Sequence, residues 1–267
     1  MSIIGIDIGT STTKIIEYKN NKINNSNIYE TKDINKNIEE FLNKYKIETQ
    51  QIEKIVLTGI GADKVNLSKY NVPVHIVEEF VSVAKGGLYL ANKKEAIIVS
   101  VGTGTALIKV TPNEIKHLGG TGVGAGTLIN LCKNFTNIKT FEEILELSNK
   151  GNLEKIDLRI GDVTTKNIDT LPKDLTLSNF GKISEDAKKE DIVLGILNMI
   201  FEVIGMMAAF TTINDNIKDV VLIGNIAEIP VVKQILKKIE YTHKISFIIP
   251  ENPQYAVALG AIKSLEI

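Results

Sequence analysis

Cysteine is nearly absent: Cys132 is the only one in 267 residues. A single thiol excludes an internal disulfide framework and any four-cysteine zinc or iron–sulfur site within one chain. An excess of charge is missing too. Lys and Arg total 31 against 32 Asp and Glu, a net charge of -1, so the basic stripe that nucleic-acid binding needs is not there. No apolar stretch approaches the roughly 18 residues that span a bilayer, and no basic-then-apolar leader opens the chain. These absences set the expectation of a cytoplasmic protein with no nucleic-acid partner and no membrane. What remains is ordinary globular composition, 43% hydrophobic and 24% charged, in a chain long enough for two lobes with separate cores.

The most informative feature present is a repeat. Ile3 to Ile16 reads as an apolar run, the turn Gly9-Thr10-Ser11-Thr12, and a second apolar run. Ala96 to Ile108 has the same layout around Gly102-Thr103-Gly104-Thr105, with Gly9 falling on Gly102. Each predicts a β-hairpin whose turn is stripped of bulk and lined with backbone N–H groups and hydroxyls. Such a turn wraps a phosphate, because small residues let the backbone approach and N–H dipoles converge on negative charge.

The periodicity predicts strands over 3–8, 12–18 and 26–31, a helix over 34–45 and strands over 52–58 and 72–77. A helix over 80–92 follows, then a second meander from Ala96 to beyond Ile115, and helices over 127–135, 140–150 and 191–214. Thr140 with Glu143 reads as a capping box. A strand at 220–223, a helix near 229–239, a strand at 245–249 and a last helix over 253–265 complete an α/β protein of two related halves.

Several residues stand out chemically. Asp7 ends a strand beside the first turn and Lys14, where a carboxylate can hold a hydrated Mg²⁺ together with phosphate oxygens. Ser100 takes its place in the second copy, which therefore offers donors without charge. Gly119 to Gly126 packs five glycines into eight residues and opens a helix, so it presents free N–H groups to an anion. No Gly-Lys-Ser/Thr closes it, which excludes a P-loop. Glu78 and Glu79 follow a short strand and open a helix; either suits a general base, and either suits a helix N-terminus. His75, His117 and His243 are too scattered for a metal site, and Cys132 lies on a helical face that suits the core.

Asp7-Ile8-Gly9-Thr10 with Lys14 resembles the first phosphate motif of the actin/hexokinase/Hsp70 ATPase superfamily. Val101-Gly102-Thr103-Gly104-Thr105, Gly119-Gly120-Thr121-Gly122, Asp174-Leu175-Thr176 and Asn179-Phe180-Gly181 resemble, in order and spacing, the type II pantothenate kinases of the bacterial kind. The resemblance covers the whole chain. It implies a two-lobed actin-like (ribonuclease H-like) fold with duplicated βββαβα halves. The lobes would be 1–75, completed by the helix at 253–267, and 76–252, carrying a dimerisation helix.

By the same resemblance the chain binds ATP and Mg²⁺ and phosphorylates the primary hydroxyl of pantothenate, opening coenzyme A synthesis, as a homodimer. Glu79, in a Glu-Phe pair, would be the catalytic base. Nucleotide contacts would fall on Asp7, Ile8, Gly9, Thr10, Ser11, Thr12, Thr13 and Lys14, with Asp7 on the metal side. Others would fall on Thr103, on Ala125, Gly126, Thr127, Leu128 and Ile129, and on Phe141 and Asn225. Glu79, Thr105 and His117 would meet the acceptor. The chain has His117 where the family has Arg, Ala106 where it has Ser, and Phe141 where it has Tyr. A kinase for a related small alcohol, or a weakly catalytic nucleotide-binding regulator, are the alternatives these differences raise.

Overall fold

The computed structural model describes residues 1–138, 140–166 and 172–266. Strands β1 (Ser2–Ile8), β2 (Thr12–Lys19) and β3 (Lys22–Glu30) form a meander, followed by helix α1 (Ile34–Lys44), strands β4 (Ile52–Thr58) and β5 (Val74–Ile76) and helix α2 (Glu79–Ala91). The second half begins with β6 (Ala96–Val101), β7 (Thr105–Val110) and β8 (Ile115–Thr121). Helices α3 (Ala125–Thr136) and α4 (Phe141–Ser148) precede a small pair, β9 (Leu158–Arg159) and β10 (Thr176–Ser178), with the single turn α5 (Ile160–Val163) between them. Helix α6 (Lys189–Thr211), strand β11 (Asp219–Ile223), helix α7 (Pro230–His243), strand β12 (Ser246–Ile248) and helix α8 (Ala256–Lys263) complete the chain.

The two large sheets confirm the duplication by their strand order. One runs β3-β2-β1-β4-β5 and the other β8-β7-β6-β11-β12, so each strand of the first has a counterpart in the second. Alternation of side chains builds two layers on each sheet. Ile4, Ile6, Ile8, Ile55 and Leu57 pack beneath α1, whereas Ile16, Tyr18 and Val56 pack beneath α8. In the second half Ile97, Val99 and Leu222 meet α3, α6 and α7, while Ile98, Ile108 and Val221 meet α2.

Three expectations need correction. Gly119, Gly120 and Thr121 belong to strand β8, so the glycine-rich segment is part strand and part loop and ends in the first residues of α3. Gly119 there has φ +140 at a register shift opposite Leu107 and Ile108, a bulge that favours glycine. The third strand begins at Lys22, because Asn20 and Asn21 at positive φ make a two-residue hairpin loop. And α6 is, by length and composition, apolar enough to cross a bilayer, contrary to the sequence expectation. Its most apolar stretch is 67% buried against the second sheet and its neighbouring helices, which accounts for that composition.

Helices α2 and α8 cross between the sheets, backbone against backbone. A Cβ on Gly86 would lie 1.8 Å from the Ala256 carbonyl oxygen, and one on Gly260 1.8 Å from that of Ser82. Beyond the crossing, Lys263 lies over the rings of both Tyr18 and Tyr89. Gly86→Ala is expected to destabilise the protein by about 1–3 kcal/mol through overpacking, although helix propensity alone would favour alanine by about 1 kcal/mol. A urea midpoint unchanged or raised would overturn this account of the crossing.

Candidate active site

The β1–β2 and β6–β7 hairpins face each other, and their turns touch: the hydroxyls of Ser11 and Thr103 are 3.1 Å apart. Register explains the division of charge between them. Asp7 pairs with Lys14 across the first hairpin, and Ser100 pairs with Ala106 across the second. The Lys14 ammonium lies 3.3 Å from the carboxylate of Asp7, a residue only 5% exposed. Thr10 and Ser11, like Thr103 and Gly104, have amides that donate to no backbone carbonyl among the described residues. They remain available to a ligand. Three other side chains of the two hairpins are committed elsewhere. Thr13 is bonded to Thr31, Ile8 lies in the core, and Thr105 donates to the Val123 carbonyl.

Helix α2 separates the roles of its two opening glutamates. The Glu78 carboxylate caps the helix, accepting hydrogen bonds from the amides of Phe80 and Val81. Glu79 makes no such bond and is left with a carboxyl pushed up by burial, helped by the Asp7 and Glu78 carboxylates and opposed by Lys14. Desolvation penalises its charged form, so the group is drawn toward a proton. Next to it the Phe80 ring stacks on His117 of β8, with centroids 4.4 Å apart and planes at 14°.

Helix α3 opens with two amides already committed. Its first two amides, Ala125 and Gly126, donate to the carbonyls of Gly102 and Thr103 and are not free for an anion. Gly124 and Gly126 are required by that contact: a Cβ at Gly124 would lie 2.8 Å from the Gly102 carbonyl oxygen, and one at Gly126 2.9 Å from Thr103. The helix start buttresses the second turn. Gly122 differs, since a Cβ there would meet nothing within 4 Å. Leu128 is a core residue and Ile129 is exposed. Cys132 is buried, its thiol pushed up to about 12.

Phe141 and Asn225 line one cleft of about 340 Å³ with Leu145, Asn149, Glu228, Ile229 and Pro230. Strand β11 delivers Asn225 there through Gly224, at φ +113, which packs against the Val101 backbone just before the second turn. The Asn225 Oδ1 is buried without a partner among the described residues. Phe141 opens α4 behind the Thr140–Glu143 capping box. A wider cleft of about 450 Å³ lies between α1 and Tyr70, but none of the residues singled out from the sequence lines it. The Asn179-Phe180-Gly181 motif instead binds toward α6, with Asn179 on Glu202 and the Phe180 amide on the buried Asp157.

One residue of the site escaped the sequence reading. Thr58 ends β4 in parallel register with Asp7, is 0% exposed, and has a hydroxyl with no partner among the described residues. A buried polar atom left unpaired costs about 1–3 kcal/mol. The turn after it, Gly59-Ile60-Gly61, closes directly on the end of β1. The signal available was a strand-end hydroxyl followed by Gly-x-Gly.

Comparisons with known proteins bear on the family and the fold. The Fumble family model matches residues 95–262, and the BadF/BadG/BcrA/BcrD ATPase family model matches residues 4–161. A type II pantothenate kinase of Bacillus anthracis is 30% identical over 236 residues, 84% of this chain and 83% of that protein. One from Bacillus cereus (strain G9842) is 29% identical over 232 residues, 83% of each. Among solved structures, the activator of the 2-hydroxyisocaproyl-CoA dehydratase from Clostridium difficile, with bound ADPNP, superposes with a TM-score of 0.70. It is 20% identical over 98% of this chain and 92% of that one. At that identity the likeness establishes the actin-like fold.

Two outcomes test the geometry. The Glu79 carboxyl titrates above the ordinary glutamate range in a carboxyl-resolved NMR titration; Asp7→Asn moves its midpoint down and Lys14→Met moves it up. The reverse order would refute the arrangement. Gly124→Ala lowers the hydrogen-exchange protection of the Ala125 and Gly126 amides, and undiminished protection would mean the helix does not buttress the turn.

Proposed function

The chain belongs to the type II pantothenate kinase family, and on that premise we propose that it transfers the γ-phosphoryl group of ATP to the primary hydroxyl of pantothenate, the first step of coenzyme A synthesis. The observation that carries the reading is the placement of Glu79. Its carboxyl, raised by burial, stands within the electrostatic reach of Asp7 and Lys14 beside the paired turns. The adenosine end occupies the cleft of Phe141, Leu145 and Asn225, where the unpartnered Asn225 Oδ1 accepts an N–H from the base. The phosphates extend to the open amides of Thr10, Ser11, Thr103 and Gly104.

Asp7 fits a magnesium ion, a hard cation that takes one or two carboxylates plus phosphate oxygens and keeps several waters. The orphaned Thr58 hydroxyl in register with Asp7 suits such a hydrated neighbour. When bound, the ion offsets the phosphate charge. Glu79 accepts the proton of the pantothenate hydroxyl as that oxygen bonds to the γ-phosphorus, the bond to the bridging oxygen breaks, and ADP carries away the electron pair. Positioning and charge stabilisation supply most of the rate in phosphoryl transfer. Lys14 faces the same charge.

His117, stacked on Phe80, and Thr105 and Ala106 on β7 lie on the acceptor side. The stacked imidazole offers no planar fork to an anion, an observation that favours a related small alcohol as the second reading. The outer face of α6, with Val203 and Phe210 exposed and Ile213 exposed just past its end, is the proposed homodimer surface. The proposed location is the cytoplasm.

Glu79→Gln is expected to cut ADP release in the presence of pantothenate about 10²–10⁴-fold while nucleotide affinity by calorimetry changes little. The variant should be at least as stable at neutral pH. A folded-state carboxyl titrating above its unfolded value loses stability as pH rises through that window, and glutamine removes this loss. Turnover retained in the variant would refute the assignment of the base. Phosphorylation of pantetheine but not pantothenate, in a screen with ATP and Mg²⁺, would shift the acceptor to the second reading.

A further inference from the structure

We propose that Thr58 is a positioning residue, its hydroxyl holding a water of the divalent cation's hydration shell beside Asp7. The inference rests on the reading of Asp7 as the metal-side carboxylate. Three observations carry it. Thr58 and Asp7 are register partners at the ends of adjacent parallel strands, so both side chains leave the same face of the sheet, the face on which Lys14 reaches Asp7. The Thr58 hydroxyl is fully buried, yet it bonds neither to Asp7 nor to any other described residue. Gly59, at φ +90, folds the chain so closely over Asp7 that a Cβ there would lie 3.0 Å from its carboxylate Oδ1 and 2.5 Å from the Ile8 carbonyl oxygen. Gly59 therefore puts no side chain between the hydroxyl and the carboxylate's ligand.

The chemistry suits the geometry. A threonine hydroxyl donates one hydrogen bond and accepts two, and a magnesium ion bound by a single carboxylate keeps waters that need outer partners. Groups that orient a metal's inner shell commonly change metal affinity about 10–100-fold when removed. A serine in this place would keep the donor, whereas a valine would keep the shape and lose it.

The test compares Thr58→Val and Thr58→Ser with the parent chain, using Mn²⁺ as a paramagnetic probe in the presence of ADP. Expected is a loss of Mn²⁺ affinity of about 10-fold or more in Thr58→Val, parent-like affinity in Thr58→Ser, and unchanged ADP affinity in EDTA for both. Thermal unfolding of the metal-free protein should show Thr58→Val no less stable than the parent, because the valine leaves no unpaired hydroxyl. Parent-like Mn²⁺ affinity in Thr58→Val overturns the proposal, and so does an equal loss in Thr58→Ser. Neither result depends on the acceptor: failure of the parent chain to phosphorylate pantothenate would strike the kinase reading and leave these measurements standing.

Discussion

Everything at the site depends on one contact between two helix backbones. Where α2 crosses α8, Gly86 and Gly260 leave no room for even a methyl group. Helix α8 is pressed onto the first sheet through Ala258, Leu259 and Ile262, and α2 onto the second through Val83 and Ala84. The crossing therefore couples the two lobes. It also fixes Glu79, the first residue of α2, relative to Asp7, which the first sheet carries. A glutamate on a loop would sample many positions; this one is set by helix start, cap and crossing together.

Charge is distributed economically around that frame. The two hairpins repeat one shape, but only the first carries ionisable groups at the turn, as Asp7 and Lys14. The second is neutral and is held by the start of α3. A site that handles a polyanion next to a base needs this asymmetry, because a second carboxylate would raise Glu79 further and repel the ligand.

Much of this was legible in the residues. The repeat of Gly9 on Gly102 gave away the duplicated hairpins, and the strand orders of the two sheets bear it out. Glu78 and Glu79 could not be told apart by pattern, since both sit at a helix start; only the direction of each carboxylate separates cap from free acid. The glycines of 119–126 looked like a ligand loop, yet several serve close packing between strand, turn and helix, a three-dimensional demand invisible in one dimension. Thr58 was missed for a related reason. Its importance lies in its register with a strand more than forty residues earlier in the chain, and pairing of distant strands leaves no local trace.

Helix α8 has a temporal consequence. It covers one face of a sheet made from β1–β3, β4 and β5, though in the chain it follows every strand of the second sheet. During synthesis Ile16, Tyr18 and Val56 stay exposed to solvent while the whole second lobe is being made, and long-range closure of this kind is slow and open to aggregation. The first lobe can collapse early on its α1 side alone. Its other side waits for α8, so of the two lobes the one that begins folding first is the one that finishes last.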